Sequence, residues 1–458
     1  MDFIHEPYQA GETIAAIATA PGDGGVAIIR VSGDKALEVV SKIYSDDLYT
    51  YKSHTAHFGK IIDEYKNHID DVLLLVFKGT KSFTGENTVE IHCHGGHLLT
   101  KKILKLVIQA GARLARPGEF SFKAFINGKI DLTQAESIQA LISAKNERAV
   151  KAASQHLNGG LSTKINLFQK KITHIAAILE AWVDFPEEGL EFASMDEICD
   201  SLTIIIHEMD QLLNTYSDGK IIHEGLSLCL VGTPNVGKSS LMNALLDKDR
   251  AIVSPIPGTT RDVIEDNLRI NGMNFRLIDT AGVRQTDEVI ESQGIIRTKQ
   301  TIEEADLILL IMDASRSLEV EDKNLLEEIP FEKTILIWNK VDISRESITL
   351  FERFKNVCLL SAKTKEGIDQ LKKTIDNVIW TNQNHHEEIM LTNARHFEAL
   401  QQAKLFLEAV LEGLRSNVSP EFVSQDIRFA LKELGKIIGT NISEDILSEI
   451  FSTFCIGK

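Results

Sequence analysis

The residues best placed to do chemistry lie between Leu226 and Leu245, in LSLCLVGTPNVGKSSLMNAL. Gly232-Thr233-Pro234-Asn235-Val236-Gly237-Lys238-Ser239 fits G-x-x-x-x-G-K-[ST]. In that pattern backbone N–H groups cradle two phosphates, the lysine (Lys238) reaches the β/γ oxygens, and the hydroxyl (Ser239) ligates Mg²⁺. Asn235, Val236, Gly237 and Ser240 complete the stretch that would follow the phosphate chain.

Four further elements follow in order. Gly258-Thr259-Thr260-Arg261-Asp262 offers a loop threonine to the metal and the γ-phosphate. Asp279-Thr280-Ala281-Gly282 follows the apolar run FRLI, so Asp279 could hold a metal-bound water and the Gly282 N–H could sense the γ-phosphate. Asn339-Lys340-Val341-Asp342 ends the run TILIW, and Asp342 can accept from N1–H and the exocyclic amine of guanine. Ser361-Ala362-Lys363 after VCLL would bring a backbone N–H to guanine O6. Together these point to GTP rather than ATP.

The residue after the D-x-x-G element, where related enzymes place a water-orienting glutamine, is Val283, which can neither orient water nor stabilise charge. Asn235 offers a neutral oxygen near the β/γ bridge, and the loop before Gly258 could add carbonyls. Together they could hold a monovalent cation; otherwise Asn235 shapes the loop. Asp287, Glu288 and Glu291 are candidates to act on water, or else form a solvated acidic loop. At the chain's end, Cys455-Ile456-Gly457-Lys458 follows an amphipathic stretch, so Cys455 is either an incidental thiol or one presented for chemistry. His92 and His94 share one face of a strand pattern, without a third metal ligand nearby in sequence.

These residues need elements to position them. A chain of 458 residues suits about three domains at ~150 residues each. The formal charge of −17 argues against a general polyanion binder, so RNA contact must be local or supplied by a partner. Five scattered cysteines without a C-x-x-C pair fit a reducing cytoplasm. No apolar run approaches the ~18 residues of a membrane span.

Residues 1–125 read as an α+β module of short strands interrupted by one helical stretch, HLLTKKILKLVIQAG. Gly24 and Gly25 within it mark either a turn or a close backbone approach. Residues 126–220 read as helical: Thr133 with Glu136 and Ser194 with Glu197 form capping-box patterns. Leu161, Ile165, Phe168, Ile172, Ile175, Leu179 and Val183 line one helix face. Residues 221–380 alternate strand and helix as a parallel α/β sheet requires, with an Asn271-Gly272 hairpin signal, and residues 381–458 return to helix. One discontinuous helical domain with the nucleotide unit inserted is the economical architecture; two separate bundles are the alternative.

Read together, PGDGGVAIIRVSG, SFTGENTVEIHCHGG, ARPGEFSFKAFINGKIDLTQAE, DFPEE, GTPNVGKSSLMNAL, GTTRD, DTAGVR and the terminal FCIGK resemble the tRNA-modification GTPase MnmE (TrmE) family. They span almost the whole chain. The resemblance implies a folate-binding and dimerising N-terminal domain, a split helical domain and an inserted Ras-like GTPase domain. It implies a homodimer working with the flavoprotein MnmG (GidA), which carries FAD, in a heterotetramer-type complex. The product would be an aminomethyl-type group at carbon 5 of the wobble uridine, its one-carbon unit drawn from 5-formyl or 5,10-methylene tetrahydrofolate.

By motif, Arg30, Glu90, Lys129 and Lys458 resemble the folate-contacting positions. Asn235, Ser254, Ile256 and Thr259 resemble K⁺ ligands, Ser239 and Thr260 Mg²⁺ ligands. Glu291 resembles the water-orienting acid, with Glu288 a substitute because the switch carries an extra residue, and Cys455 resembles the family's terminal cysteine. K⁺-stimulated hydrolysis as two GTPase units close would answer the puzzle of Val283. A regulatory or ribosome-assembly GTPase is the competing class, but it would carry a basic RNA-binding appendage, and none is evident.

Overall fold

The computed structural model describes residues 11–184, 194–246, 267–271, 273–278, 302, 305–345, 348, 351–379, 389–416 and 418–457. Contacts divide the chain into two units, one of residues 1–143, 153–209 and 398–458, the other of residues 144–152 and 210–397.

In the first unit the short apolar runs become β1 (Ile14–Ile17), β2 (Gly24–Ser32), β3 (Thr55–Ile62), β4 (His68–Phe77), β5 (Thr88–Gly95) and β6 (Arg113–Leu114). They form one sheet in the order β3-β4-β5-β2-β1-β6, antiparallel except where β1 meets β6. Alternation decides which face is buried. Val72, Leu74 and Val76 of β4 point into the core while Asp71 and Leu73 are exposed. The predicted helix forms at His97–Gln109 and lays Ile103 and Val107 against Val31, Leu74 and Ile91. Each such side chain, fully buried, contributes about 1.5–3 kcal/mol. Two helices were not expected from periodicity, Ala36–Ser41 and Glu119–Ile126, because each spans too few turns to display one. Gly24 pairs with Gly95 across β2 and β5, and a Cβ on Gly95 would strike the Gly24 carbonyl, so this pair serves a close strand approach.

The helical residues of this unit include Gly160–Asp184, whose Leu161, Ile165, Phe168, Ile172, Ile175 and Leu179 are all buried, as the spacing requires. That helix packs on Pro420–Ile438, and Arg428 pairs with Glu180, 248 residues away in sequence. The helical blocks before and after the nucleotide unit therefore build one discontinuous domain. The Ser194–Glu197 capping box is formed, Glu197 accepting from the Ser194 N–H at 2.7 Å and Ser194 Oγ from the Glu197 N–H at 3.2 Å. The other box is shifted. Asp131 and Gln134 make it, at 3.0 Å in both directions, while the Thr133 hydroxyl is buried against Asp131 and Ser162. Asp131 lies nearer the helix start, and Thr133 falls inside Leu132–Ser143, where it cannot cap.

In the second unit β7 (Leu226–Val231), β8 (Asn267–Ile270), β9 (Met273–Ile278), β10 (Leu307–Asp313), β11 (Thr334–Asn339) and β12 (Val357–Leu359) stand in the order β12-β11-β10-β7-β9-β8. All neighbours are parallel except β8 and β9, which pair antiparallel around Asn271 at φ 50°, as the hairpin signal predicts. Every residue of β10 and β11 is buried, the mark of a parallel sheet covered on both faces. Among the described residues, no helix is long and apolar enough to cross a membrane.

Candidate functional site

Parallel strands present their following loops along one sheet edge, the usual ligand position in this class of sheet. The loop after β7 carries the G-x-x-x-x-G-K-S stretch, and its lysine opens the helix Lys238–Leu246. Asn235 sits in the left-handed region at φ 63°, which asparagine tolerates better than most residues. Gly237, at φ 101°, is needed twice over, since a Cβ there would also strike the Asn339 side-chain amide. Lys238 Nζ donates to the Gly232 carbonyl at 2.7 Å and the Thr233 carbonyl at 3.0 Å. Burial pushes its ammonium below the usual lysine range, a shift that an anionic ligand would oppose. Val236 is buried, while Asn235, Ser239 and Ser240 are exposed at the loop and helix start.

The loop after β11 is tied to this one. Asn339, almost wholly buried, donates from Nδ2 to the Val236 carbonyl at 2.8 Å and accepts the Ala362 N–H on Oδ1 at 2.9 Å. One amide thus fixes the phosphate loop against the Ser361-Ala362-Lys363 loop, two segments more than a hundred residues apart in sequence. Lys340, at φ 65°, reaches back to Asp313 at the end of β10, 2.6 Å away. Burial would raise the Asp313 carboxyl, but hydrogen bonds from Lys340 and Ser315 outweigh it and hold the group below the usual range. Asp342 and Lys363 are exposed and Ser361 is buried, its Oγ capping the turn through the Thr364 N–H. The edge therefore offers a buried amide for shape and an exposed carboxylate beside it.

A second cluster lies in the first unit. Arg30 on β2 stands opposite Glu90 on β5, with Nε to Oε1 at 2.8 Å. Its guanidinium lies 5.6 Å from the centre of the Phe120 ring and donates from Nη1 to the Gly457 carbonyl at 3.2 Å. Gly457, at φ 92°, could not carry a Cβ without meeting the backbone of Ile17 and Ala18. The Gly118 N–H reaches the Cys455 carbonyl at 3.4 Å, and Phe451 packs edge-on to Phe122. The chain end is thereby pinned beside β1 and β2, leaving the Cys455 thiol exposed. Lys129 goes elsewhere, donating to the Thr80 carbonyl at 2.9 Å; among the described residues no hydrogen bond or ion pair joins it to Arg30 or Glu90.

Ser254, Ile256, Thr259, Thr260, Asp279, Thr280, Ala281, Gly282, Val283, Asp287, Glu288, Glu291 and Lys458 lie outside the described residues. Sequence reasoning missed Gly457 as the residue that meets Arg30, and missed Asp313, Arg316 and Asp322 beside the nucleotide loops. No short motif marks them, because each acts through a contact formed only in the folded sheet.

Comparisons with known proteins give the family. A family model described as the MnmE helical domain matches residues 132–455, and one described as the GTP-binding protein TrmE N-terminus matches residues 13–129. A tRNA modification GTPase MnmE of Protochlamydia amoebophila is 60% identical over 100% of both chains. One of Thermoanaerobacter pseudethanolicus is 42% identical over 98% of this chain and 99% of its own. Among solved structures, the FeoB G domain of Methanococcus jannaschii is 28% identical, covering 34% of this chain and 97% of its own, with a TM-score of 0.24. A relative of this identity over its full length, joined to a nucleotide loop and a pinned C-terminal segment, decides the assignment: the chain belongs to the tRNA modification GTPase MnmE family.

Proposed function

We propose that this protein hydrolyses GTP to drive modification of the wobble uridine of tRNA at carbon 5. The observation that carries the nucleotide part is Asn339, which ties the phosphate loop to the base-reading loop through one buried amide. Lys238 would neutralise β/γ oxygens, the Val236 to Ser240 backbone would follow the phosphates, and Asp342 with the Ala362 N–H would select guanine. Ser239, with Thr260, would hold Mg²⁺, and Asp279 would hold its water. Asn235, Ser254, Ile256 and Thr259 would hold K⁺, which would supply positive charge to the phosphates in place of an arginine. Glu291, or Glu288 in its stead, would orient the attacking water, since Val283 cannot.

The modification part rests on the Arg30, Glu90 and Gly457 cluster. Arg30 has five N–H donors, a planar fork suited to an anionic or carbonyl-bearing ligand such as a tetrahydrofolate, either 5-formyl or 5,10-methylene. Glu90 and Lys458 would complete that site, and Cys455, exposed beside it, would serve the transfer; Lys129, bonded to the Thr80 carbonyl, is left out of it. In this reading the protein is a cytoplasmic homodimer whose GTPase units also associate. It works with the flavoprotein MnmG, which brings FAD, on tRNA. The exposed sheet face with Phe58 opposite Leu73 supports a partner for the N-terminal sheet. GTP turnover in matched K⁺ and Na⁺ buffers, with Asn235→Ala alongside, tests the cation assignment: K⁺-specific stimulation lost in the variant is expected. Equal rates in both salts would sink that assignment and favour a regulatory GTPase.

A further inference from the structure

The phosphate loop is braced from behind by two side chains that no motif contains, Arg316 and Asp322. Thr233, the first variable residue of the loop, is buried, and its Oγ1 donates to Asp322 Oδ1 at 2.7 Å. Arg316 completes the group, donating from Nη2 to Thr233 Oγ1 at 3.0 Å and pairing through Nη1 with Asp322 Oδ2 at 2.8 Å. Asp322 is 2% exposed and is itself fixed: as the third residue of the helix Val320–Glu328 it accepts the Glu319 N–H at 3.0 Å in a capping box. The carboxylate therefore has a helix terminus on one oxygen and the phosphate loop on the other. The main chain of the same Thr233 holds Lys238 Nζ at 3.0 Å.

We propose that Arg316, Asp322 and Thr233 form a latch that positions the Thr233 peptide, and through it the Lys238 ammonium, for the nucleotide's phosphates. Two physical effects are combined. The Thr233–Asp322 hydrogen bond holds the loop in its binding geometry before ligand arrives, so less ordering remains to be done on binding. Arg316 neutralises Asp322, which would otherwise set a buried carboxylate behind a loop that must receive a polyphosphate. The three are positioning residues: none is assigned contact with the nucleotide. The inference rests on the guanine-nucleotide reading of the site and names a device within it.

Equilibrium binding of fluorescent GDP and of a fluorescent non-hydrolysable GTP analogue to the full chain tests it, with the melting midpoint of each nucleotide-free variant read by circular dichroism. Thr233→Val, which keeps shape and removes the hydroxyl, weakens both nucleotides about tenfold, and Thr233→Ser restores them to within about twofold, the size expected for a hydrogen bond to a charged group. Arg316→Gln weakens binding about tenfold by leaving the carboxylate bare. Adding Asp322→Asn removes that charge and recovers affinity to within about threefold, a reciprocal rescue that a merely structural role would not produce. Wild-type affinity in a folded Thr233→Val, or strictly additive losses in the double variant, overturns the latch. Should Thr233→Val fail to fold, the Arg316→Gln pair decides in the same way. Absence of nucleotide binding by the unaltered protein would instead sink the nucleotide reading itself, and the latch with it.

Discussion

The nucleotide edge and the Arg30 cluster are built in opposite ways. At the nucleotide edge each loop carries its own chemistry in a short contiguous stretch, and tertiary structure adds ties such as Asn339 to Val236 and Ala362. In the Arg30 cluster no stretch suffices. Arg30 and Glu90 come from different strands, and the acceptor for Arg30 Nη1 is the carbonyl of Gly457, 427 residues away. The first kind of site should survive loss of a distant segment, and the second should not.

The largest effect falls on the nucleotide edge. Lys238→Ala removes the ammonium proposed to meet the phosphates, and two charge-assisted hydrogen bonds at about 1.5–3 kcal/mol each correspond to a loss of roughly 100-fold or more in GTP affinity. Titration with a fluorescent nucleotide measures it, and near-normal affinity would remove the loop from the site. Deleting Cys455 to Lys458 takes from Arg30 its Gly457 acceptor while leaving the nucleotide loops whole. Calorimetry is expected to show tetrahydrofolate binding weakened about tenfold and GDP binding unchanged. An equal loss of both ligands would break the comparison.

Asn339→Ala sharpens it from the other side, because the variant leaves the Val236 carbonyl and the Ala362 N–H without their partner. Unsatisfied buried groups cost about 1–3 kcal/mol each, so urea unfolding should show the second unit destabilised by that order, with guanine nucleotides bound more weakly. A smaller effect is read by pH. Asp313 has a folded value below its unfolded one, so its contribution to stability is present above about pH 4 and is lost as pH falls through the folded value. The melting midpoint should therefore drop below about pH 4, and Asp313→Asn should flatten part of that drop. The smallest change belongs to Lys129→Met. An exposed ammonium bonded to one carbonyl is worth about 0.5 kcal/mol or less to stability. A large loss of tetrahydrofolate binding in this variant, with stability intact, would return Lys129 to the site that the described contacts do not give it.

The errors of the sequence reading are instructive in the same terms. The Ser194–Glu197 box was legible because no competing Ser, Thr, Asp or Asn lies upstream within a turn. Thr133 and Glu136 had the right spacing but lost to Asp131 and Gln134, two positions earlier. The helix Glu119–Ile126 escaped notice because its pattern is short and mostly apolar, yet it supplies Phe120, the ring under Arg30.

What the sequence by itself made legible is what is held in contiguous segments: the G-x-x-x-x-G-K-S loop, the N-K-x-D stretch proposed to read guanine, the alternation that makes the two sheets, and the family to which their sum belongs. Backbone geometry and local periodicity act over a few residues, so these were legible without a fold. Only the tertiary structure decided that Asn339 joins two loops, that Asp322 and Arg316 stand behind Thr233, and that the carbonyl of Gly457 meets Arg30. Each of these is a hydrogen bond between residues far apart in sequence. It exists because packed strands and helices bring the partners within about 3 Å of each other, a distance that no local pattern encodes.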